Sequence, residues 1–169
     1  MCCDARHLPA GVADQGPDEK RHDVLVYSTP PLAHNLDVTG PVSLTLYVSS
    51  SAPDTDFTGV LVDVAPDGSA HNIAEGIVRM RYRDSNQRAA FIAPGKIYKV
   101  KVDLWATSNV FLAGHRLRVD ISSSNFPRFD RNLNTRESPE LGVRSVKATN
   151  VIYHDRAHPS TLNLSVMPQ

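Results

Sequence analysis

The segment SSSNFPRFDRN, residues 122–132, gathers side chains that are capable of chemistry. It combines three serine hydroxyls, asparagine amides, two phenylalanines around a proline, and an Arg-Asp-Arg cluster. Such a composition suits an active site, a recognition loop, or a loop that fastens one surface to another. It directly follows an alternating apolar pattern, which indicates that a strand ends where the segment begins.

We interpret this segment as a structural or interface loop. An arginine fork beside a carboxylate makes a specific, charge-assisted pair, so we expect pairing within the Arg-Asp-Arg cluster. The hydroxyls and amide of residues 122–125 can hydrogen-bond to loop backbone that has lost its sheet partners. Such a loop could be wholly internal, support an interface, or touch a substrate. The residues expected to serve it are Ser124, Asn125, Phe126, Arg128, Asp130 and Arg131.

Residues for covalent catalysis lack the context that this chemistry needs. A nucleophilic serine on a strained elbow usually stands in Gly-x-Ser-x-Gly, which does not occur here. Ser69 lies in Gly-Ser-Ala-His, where a hairpin turn is the simpler interpretation. The seven histidines show no distinguishing context, and there is no glycine-rich phosphate loop or dinucleotide fingerprint. The sequence therefore predicts no catalytic residue and no cofactor.

Two groups of possible metal ligands are also incomplete. Asp54 and Asp56 could bind calcium, but they lack the further oxygen ligands that calcium requires, so we expect a polar turn before a strand. Cys2, Cys3 and His7 do not match the ligand spacing of a zinc site. The sequence predicts no metal site.

Charge and hydropathy exclude two classes of partner. The net charge is +0 and the pI is near 7.1, so we expect no nucleic-acid partner, and no apolar run is long enough to cross a membrane. Arg79, Arg81 and Arg83 alternate with apolar residues, which predicts the solvent-facing side of one strand. Trp105 follows an alternating strand, so we expect it to be buried in a core or an interface rather than stacked on a sugar.

The dominant pattern along the chain is an apolar period of two over short runs bounded by turn residues. In residues 41–50 it places Val42, Leu44, Leu46 and Val48 on one face. Asp67-Gly68 predicts a hairpin between two runs within residues 57–83. The remaining runs are 23–28, 97–105, 115–122, TNVIYHD and STLNLSV. Eight or so strands without a long helix predict an antiparallel sandwich or jelly roll.

Five segments stand in a distinctive order: DVLVYSTPPL, VTGPVSLTLYVSSSAPDTDFTGVLVDVAPDG, EGIVRMRYR, ATSNVFLAGHRLRVDISSSNFPRFDRN and HDRAHPSTLNLSV. Together they resemble the C-terminal domain of the X-Pro dipeptidyl-peptidase and cocaine-esterase-like serine hydrolases, over residues 23–166. The resemblance implies an all-β jelly roll, similar to a galactose-binding domain, that accompanies an α/β-hydrolase domain with a Ser-Asp-His triad and a helical cap. No triad motif is found here, so only the Ser122–Asn132 hallmark is carried over.

The resemblance also implies a division of the chain and a role. Residues 1–22 resemble the segment that follows the catalytic domain, and residues 23–169 form the C-terminal jelly roll. We expect a non-catalytic domain that packs on the catalytic and cap domains of an esterase or X-Pro dipeptidyl-peptidase and helps to shape the substrate pocket. Separated from them, it should expose apolar surface, at Phe111 and Leu112 or at the Cys2-Cys3 segment, and could self-associate.

Two other functions remain open. A jelly roll could be a free-standing carbohydrate-binding module, or the chain could be a complete small enzyme. Cys2 and Cys3 are adjacent and cannot form a disulfide scaffold, and the start lacks the apolar core of a secretory signal. Both observations favour the cytoplasm. The loop-like composition of this start predicts that the chain comes from a longer protein.

Overall fold

The computed structural model describes residues 11–138 and 140–168, and β-strands make up almost all of the regular structure in them. Cys2, Cys3 and His7 lie outside the described residues. The strands are β1 (Leu25–Ser28), β2 (Leu36–Ser50), β3 (Asp56–Val64), β4 (Ala70–Arg79), β5 (Tyr98–Phe111), β6 (Arg116–Ser122), β7 (Asn150–Tyr153) and β8 (Thr161–Asn163). A four-residue helix, α1 (Gly16–Glu19), and a 3-10 turn (Met80–Tyr82) accompany them. None of the helical segments described is long and apolar enough to span a membrane.

The strands form two antiparallel sheets. One has the order β1-β6-β3-β4, and the other has β5-β2-β7 with β8 also paired to β2. One apolar cluster draws residues from both sheets, as expected when two sheets pack face to face. The predicted all-β jelly-roll sandwich is confirmed.

The core follows from the alternation of side chains along each strand. Val42, Leu44, Leu46 and Val48 of β2 are all buried, as predicted. From β5, Val100, Val102 and Leu104 face the same cluster, while Lys101 and Asp103 between them are exposed. Phe111 and Leu112, at the end of β5, were both expected to be exposed. Leu112 is half exposed, but Phe111 is fully buried, so the prediction is wrong for Phe111.

The predicted hairpin joins β3 to β4. Gly68 takes a φ of 90°, which glycine adopts without strain, and the carboxylate of Asp67 accepts hydrogen bonds from the backbone and hydroxyl of Ser69. The resulting antiparallel register sets Asp56 of β3 opposite Arg79 of β4. The turn and a one-residue bulge at Ile73 of β4 together determine which charged residues meet at the far end of the hairpin.

A bulge in β5 departs from the sequence-based prediction. Thr39-Gly40-Pro41 has the composition of a turn but lies inside β2, since Gly40 accommodates a φ of 132°. Pro41 and Ser43 then pair with Ala106 and Asp103, so β5 has one residue more than β2 between these pairs. Trp105, the second residue of this bulge, has a φ of 68° and is 71% exposed, so its predicted burial in the core is wrong.

Gly76 permits the close approach of β4 to β5, and its replacement provides a test of the packing. Gly76→Ala should lower the free energy of unfolding by about 3 kcal/mol, because the new methyl group would lie 1.9 Å from the carbonyl oxygen of Asp103. Gly59→Ala is the control, since its methyl group meets the side chain of Leu44, which can rotate away. Urea unfolding measures both; equal losses would contradict a backbone clash at Gly76.

Candidate functional site

The polar loop, residues 122–138, leaves β6 and lies against the β3–β4 hairpin. Asn125 and Arg128 both donate hydrogen bonds to the carboxylate of Glu75 on β4. Arg128 was expected to pair within the loop, but its partner is on the neighbouring strand. The guanidinium of Arg131 stacks 4.6 Å from the ring centre of Phe126, an arrangement that attracts a cation to an aromatic face.

Two arginine–carboxylate pairs lie buried beneath this loop. The Nε of Arg81 is 2.6 Å from Oδ2 of Asp54, and their side chains are only 6% and 0% exposed. Arg79 contacts both carboxylate oxygens of Asp56 through Nε and Nη2, at 2.9 to 3.3 Å. A polar connection does precede β3, as predicted, although its carboxylates are buried. The predicted solvent-facing arginine stripe is wrong, because Arg81 is buried. Alternation describes one face of a strand, but it does not show whether a loop covers that face.

The remaining donors of both arginines hold the backbone of the polar loop. Arg81 donates from Nη2 to the carbonyl of Thr135 at 2.7 Å and from Nη1 to that of Glu137 at 2.9 Å. Arg79 donates from Nη2 to the carbonyl of Asp130 at 2.8 Å. Buried charges are tolerated only where their hydrogen-bonding capacity is filled, and here the loop carbonyls fill it.

Asn132 joins the two pairs into one network. Its amide donates to Oδ2 of Asp54 at 2.9 Å and to Oδ1 of Asp56 at 2.7 Å. Burial raises the pKa of the Asp56 carboxyl above its ordinary value, while the hydrogen bonds from Arg79 and Asn132 oppose that rise. The oxygens of these two carboxylates are thus occupied by arginine and amide donors. Residues 11–138 and 140–168 contain no cluster of three or more His, Cys, Asp or Glu side chains that could hold a metal ion.

Two acidic side chains, Glu19 of α1 and Asp120 of β6, lie close to each other at the outer face of the first sheet. Asp120 of β6 is 5% exposed, and neither of its carboxylate oxygens, nor Oε1 of Glu19, has a donor partner. Burial, followed by repulsion from Glu19, raises the pKa of Asp120 to about 7, although Arg118 opposes this. Arg118 holds the other oxygen of Glu19 at 2.5 Å. A protonated carboxyl group can donate a hydrogen bond, so a proton on Asp120 would supply the donor that these oxygens lack.

Comparisons with known proteins place this architecture in a family. Residues 4–163 match the model of the X-Pro dipeptidyl-peptidase C-terminal non-catalytic domain. The chain belongs to this family. It is 51% identical to the cocaine esterase of Rhodococcus sp. (strain MB1 Bresler) over 162 residues, which cover 93% of this chain and 28% of that enzyme.

Solved structures agree with the assignment. An α-amino acid ester hydrolase superposes with a TM-score of 0.89 at 30% identity, over 92% of this chain and 27% of its own. An aminopeptidase from a marine-sediment Thaumarchaeota archaeon gives 0.86 at 31% identity, over 93% and 28%. The chain thus spans little more than a quarter of the relatives that it matches. The resemblance stated from the motifs is confirmed.

Membership in the family of non-catalytic C-terminal domains agrees with the histidine contacts. Nδ1 of His115, the residue before β6, lies 2.8 Å from Oδ1 of Asp63 on β3. His158 contacts Asp155 in the loop before β8. In the described part of the chain neither pair has a serine hydroxyl as a third hydrogen-bonded member. These contacts fix loop geometry.

The predicted site residues are only partly brought together. Asn125 and Arg128 share Glu75, and Phe126 stacks with Arg131. Ser124 and Asp130 are exposed and contribute their backbone carbonyls as acceptors. Their structural or interface role stays a prediction, as does the domain boundary after residue 22. Sequence reasoning missed the residues that hold the loop: Asp54, Asp56, Glu75, Arg79, Arg81 and Asn132.

Part of the signal for the missed pairs was present in the sequence. Acidic residues stand at the start of β3 and arginines at the end of β4, so a hairpin at Asp67-Gly68 brings the two groups to the same end. The pairing next to the turn would set Asp56 opposite Val78, and the extra residue Ile73 in β4 moves it opposite Arg79. Opposite charges facing each other across a sheet are a recognised stabilising pair. Their burial depended on the polar loop, whose path has no comparable signal.

Removal of a buried arginine tests the network. Arg81→Met should lower the free energy of unfolding by about 3 to 5 kcal/mol, because it leaves the Asp54 carboxylate buried and unpaired. Arg21→Met is the matched control: its partner Asp23 is exposed, so the loss should not exceed about 1 kcal/mol. Chemical denaturation measures both, and losses of similar size would show that the Arg81 pair is not buried in solution.

The acidic pair predicts a pH dependence. The pKa of Asp120 is raised in the folded state, so its stabilising contribution is complete below about pH 4 and is lost as the pH rises through 7. Asp120→Asn keeps a donor towards Glu19 without a titratable proton. As the pH rises from 5 to 8, the parent chain loses this contribution and the variant does not. The free energy of unfolding of the variant, relative to that of the parent, should therefore increase by about 2 kcal/mol over this range. A stability difference that does not change with pH would contradict the shared proton.

Proposed function

We propose that this domain packs on the hydrolase part of a longer polypeptide and helps to shape the substrate pocket of that enzyme. The observation that carries the proposal is the extent of the match: 93% of this chain corresponds to 28% of an esterase. The rest of such a polypeptide holds the chemistry. The family description, a non-catalytic C-terminal domain, supports the same division of labour.

The parent reaction in this proposal is acyl transfer to water. A serine of the hydrolase part attacks an ester or an X-Pro peptide, releases the alcohol or amine, and forms an acyl-enzyme that water then cleaves. Relatives named as a cocaine esterase, an α-amino acid ester hydrolase and an aminopeptidase support an ester or amide as the scissile group.

In this proposal the domain contributes a rigid surface to one side of the substrate pocket. Residues that position a substrate must hold their geometry closely, and a long polar loop is usually mobile. Here the polar loop is tied to the hairpin through Arg79, Arg81 and Asn132. A loop fastened in this way can face a pocket without loss of order.

A carbohydrate-binding module is the second candidate, and one observation favours it. Trp105 is 71% exposed, and exposed aromatic rings stack on sugars. Retention of the chain on polysaccharide columns, with and without calcium, would support this function. Elution with the unbound fraction under both conditions would remove it.

A joined enzyme tests the main proposal. In it, this chain replaces the matched C-terminal region of the Rhodococcus cocaine esterase. We expect the joined enzyme to hydrolyse a chromogenic ester, to be inhibited by a serine-directed phosphonate, and to unfold in one cooperative transition. The free chain should show no turnover with an ester or an X-Pro substrate. Phosphonate-sensitive turnover by the free chain, or two independent unfolding transitions in the joined enzyme, would contradict the proposal.

A further inference from the structure

A groove of about 730 Å³, lined by both polar and apolar residues, opens between β4, the bulge of β5 and the turn at Phe126-Pro127. Its larger apolar side chains are Val12, Ile73, Leu104, Trp105, Phe126 and Pro127. Three of these side chains are unusually exposed for their size: Trp105 by 71%, Val12 by 69% and Phe126 by 56%. Large apolar side chains concentrated at one exposed surface are typical of an interaction site.

The backbone at the groove is held in an unfavourable conformation. Trp105 has a φ of 68°, a region that bulky side chains rarely enter and that costs about 1 to 3 kcal/mol. The carboxylate of Asp103 accepts a hydrogen bond from the Trp105 amide at 2.9 Å and stabilises the bulge. A glycine or an asparagine would suit this position better. The side chain of this strained tryptophan is mostly exposed in the free chain, so its burial offsets little of that cost.

The polypeptide chain itself indicates what covers the groove. The domain is C-terminal in its family, so the hydrolase part precedes it. The stretch from Gly11 to Gln15 lines the groove, and it is fixed there by Ala13, whose amide donates to Asn72, and by Gln15, whose amide donates to the carbonyl of Ala70, each at 2.7 Å. The chain that arrives from the hydrolase part is therefore brought to the rim of the groove.

The charges at the groove fit an occupant with an apolar face. Of the three charged residues that line it, Glu75 and Arg128 are paired with each other, and Asp18 lies 3.9 Å from the guanidinium of Arg21 outside the groove. A charge pair that is already formed costs less to cover than a single charge, which would need a partner across the interface. Exposed aromatic side chains beside such a pair resemble the anchors that dominate protein–protein contacts.

We propose that this groove is the surface on which the hydrolase part of the same polypeptide docks, with Trp105 and Phe126 as its aromatic anchors. The inference rests on the proposed function and adds the face through which the two parts meet. In the assembled protein, burial of the indole then offsets the backbone strain at Trp105. In the free domain the indole is exposed, and the strain is not offset.

Substitution of Trp105 should have different effects in the free chain and in the joined enzyme. Asparagine tolerates a positive φ, so Trp105→Asn should leave the unfolding midpoint of the free chain unchanged or raise it. In the joined enzyme the same substitution should lower the midpoint or split the single transition. Leu112→Asn is the matched control, since Leu112 is 49% exposed and does not line the groove. It should leave the midpoint of both proteins unchanged.

A label on the indole reports the contact directly. Trp105 is the single tryptophan of the chain, so 5-fluorotryptophan marks one site, and the labelled chain can be joined to an unlabelled hydrolase part by protein ligation. We expect its fluorine resonance to shift on joining and to lose its sensitivity to exchange of H₂O for D₂O. Phe126→Ala, which keeps the label in place, should restore part of that sensitivity.

The outcomes separate this inference from the proposed function. If the joined enzyme unfolds in one transition but the fluorine signal and the Trp105→Asn midpoint do not change, docking uses another face and the inference is wrong. If the unsubstituted joined enzyme unfolds as two independent parts, the proposed function fails as well. Binding of the free chain to a polysaccharide that is abolished by Trp105→Asn would identify a sugar as the occupant and overturn the inference.

Discussion

The arginine–carboxylate network at the open end of the β3–β4 hairpin is the constraint on which the rest of the structure depends. Asp54 and Arg81 are both almost fully buried, and a buried pair of ions costs several kcal/mol unless every remaining donor and acceptor is satisfied. Asn132 and the backbone carbonyls of Thr135 and Glu137 provide that satisfaction. The path of the polar loop is thus determined by the charges that it has to cover.

This constraint connects the fold to its proposed role. The jelly roll leaves long connections at its edges, and an unfastened connection of this length would move. Because Glu75, Arg79 and Arg81 each bind the polar loop, the loop becomes part of the rigid sandwich. The groove beside it shares Phe126 with that loop, so fastening and docking involve the same turn. A non-catalytic domain can contribute to catalysis in this way, by holding a surface still.

The sequence predicted what depends on local periodicity and turn chemistry. The inward face of β2, from Val42 to Val48, and the hairpin at Asp67-Gly68 were both correct, because alternation and a glycine turn are local signals. The motif order also identified the family. The burial of Arg81, the partner of Arg128 and the exposure of Trp105 were not predicted. Each depends on tertiary neighbours: a covering loop, a carboxylate on another strand, and a bulge that interrupts the alternation of β5.

Native-state hydrogen exchange of the polar loop is the most direct test of its fastening. The amide of Phe129 donates to the carbonyl of Asn125, and that of Asn134 donates to the side chain of Asn132. If the buried network holds the loop, these two amides exchange only through global unfolding, with the same opening free energy as Leu61 in the centre of β3. Exchange of Phe129 and Asn134 by local opening, at a free energy several kcal/mol below that of Leu61, would show that the loop is mobile and would contradict the central role of the charge network.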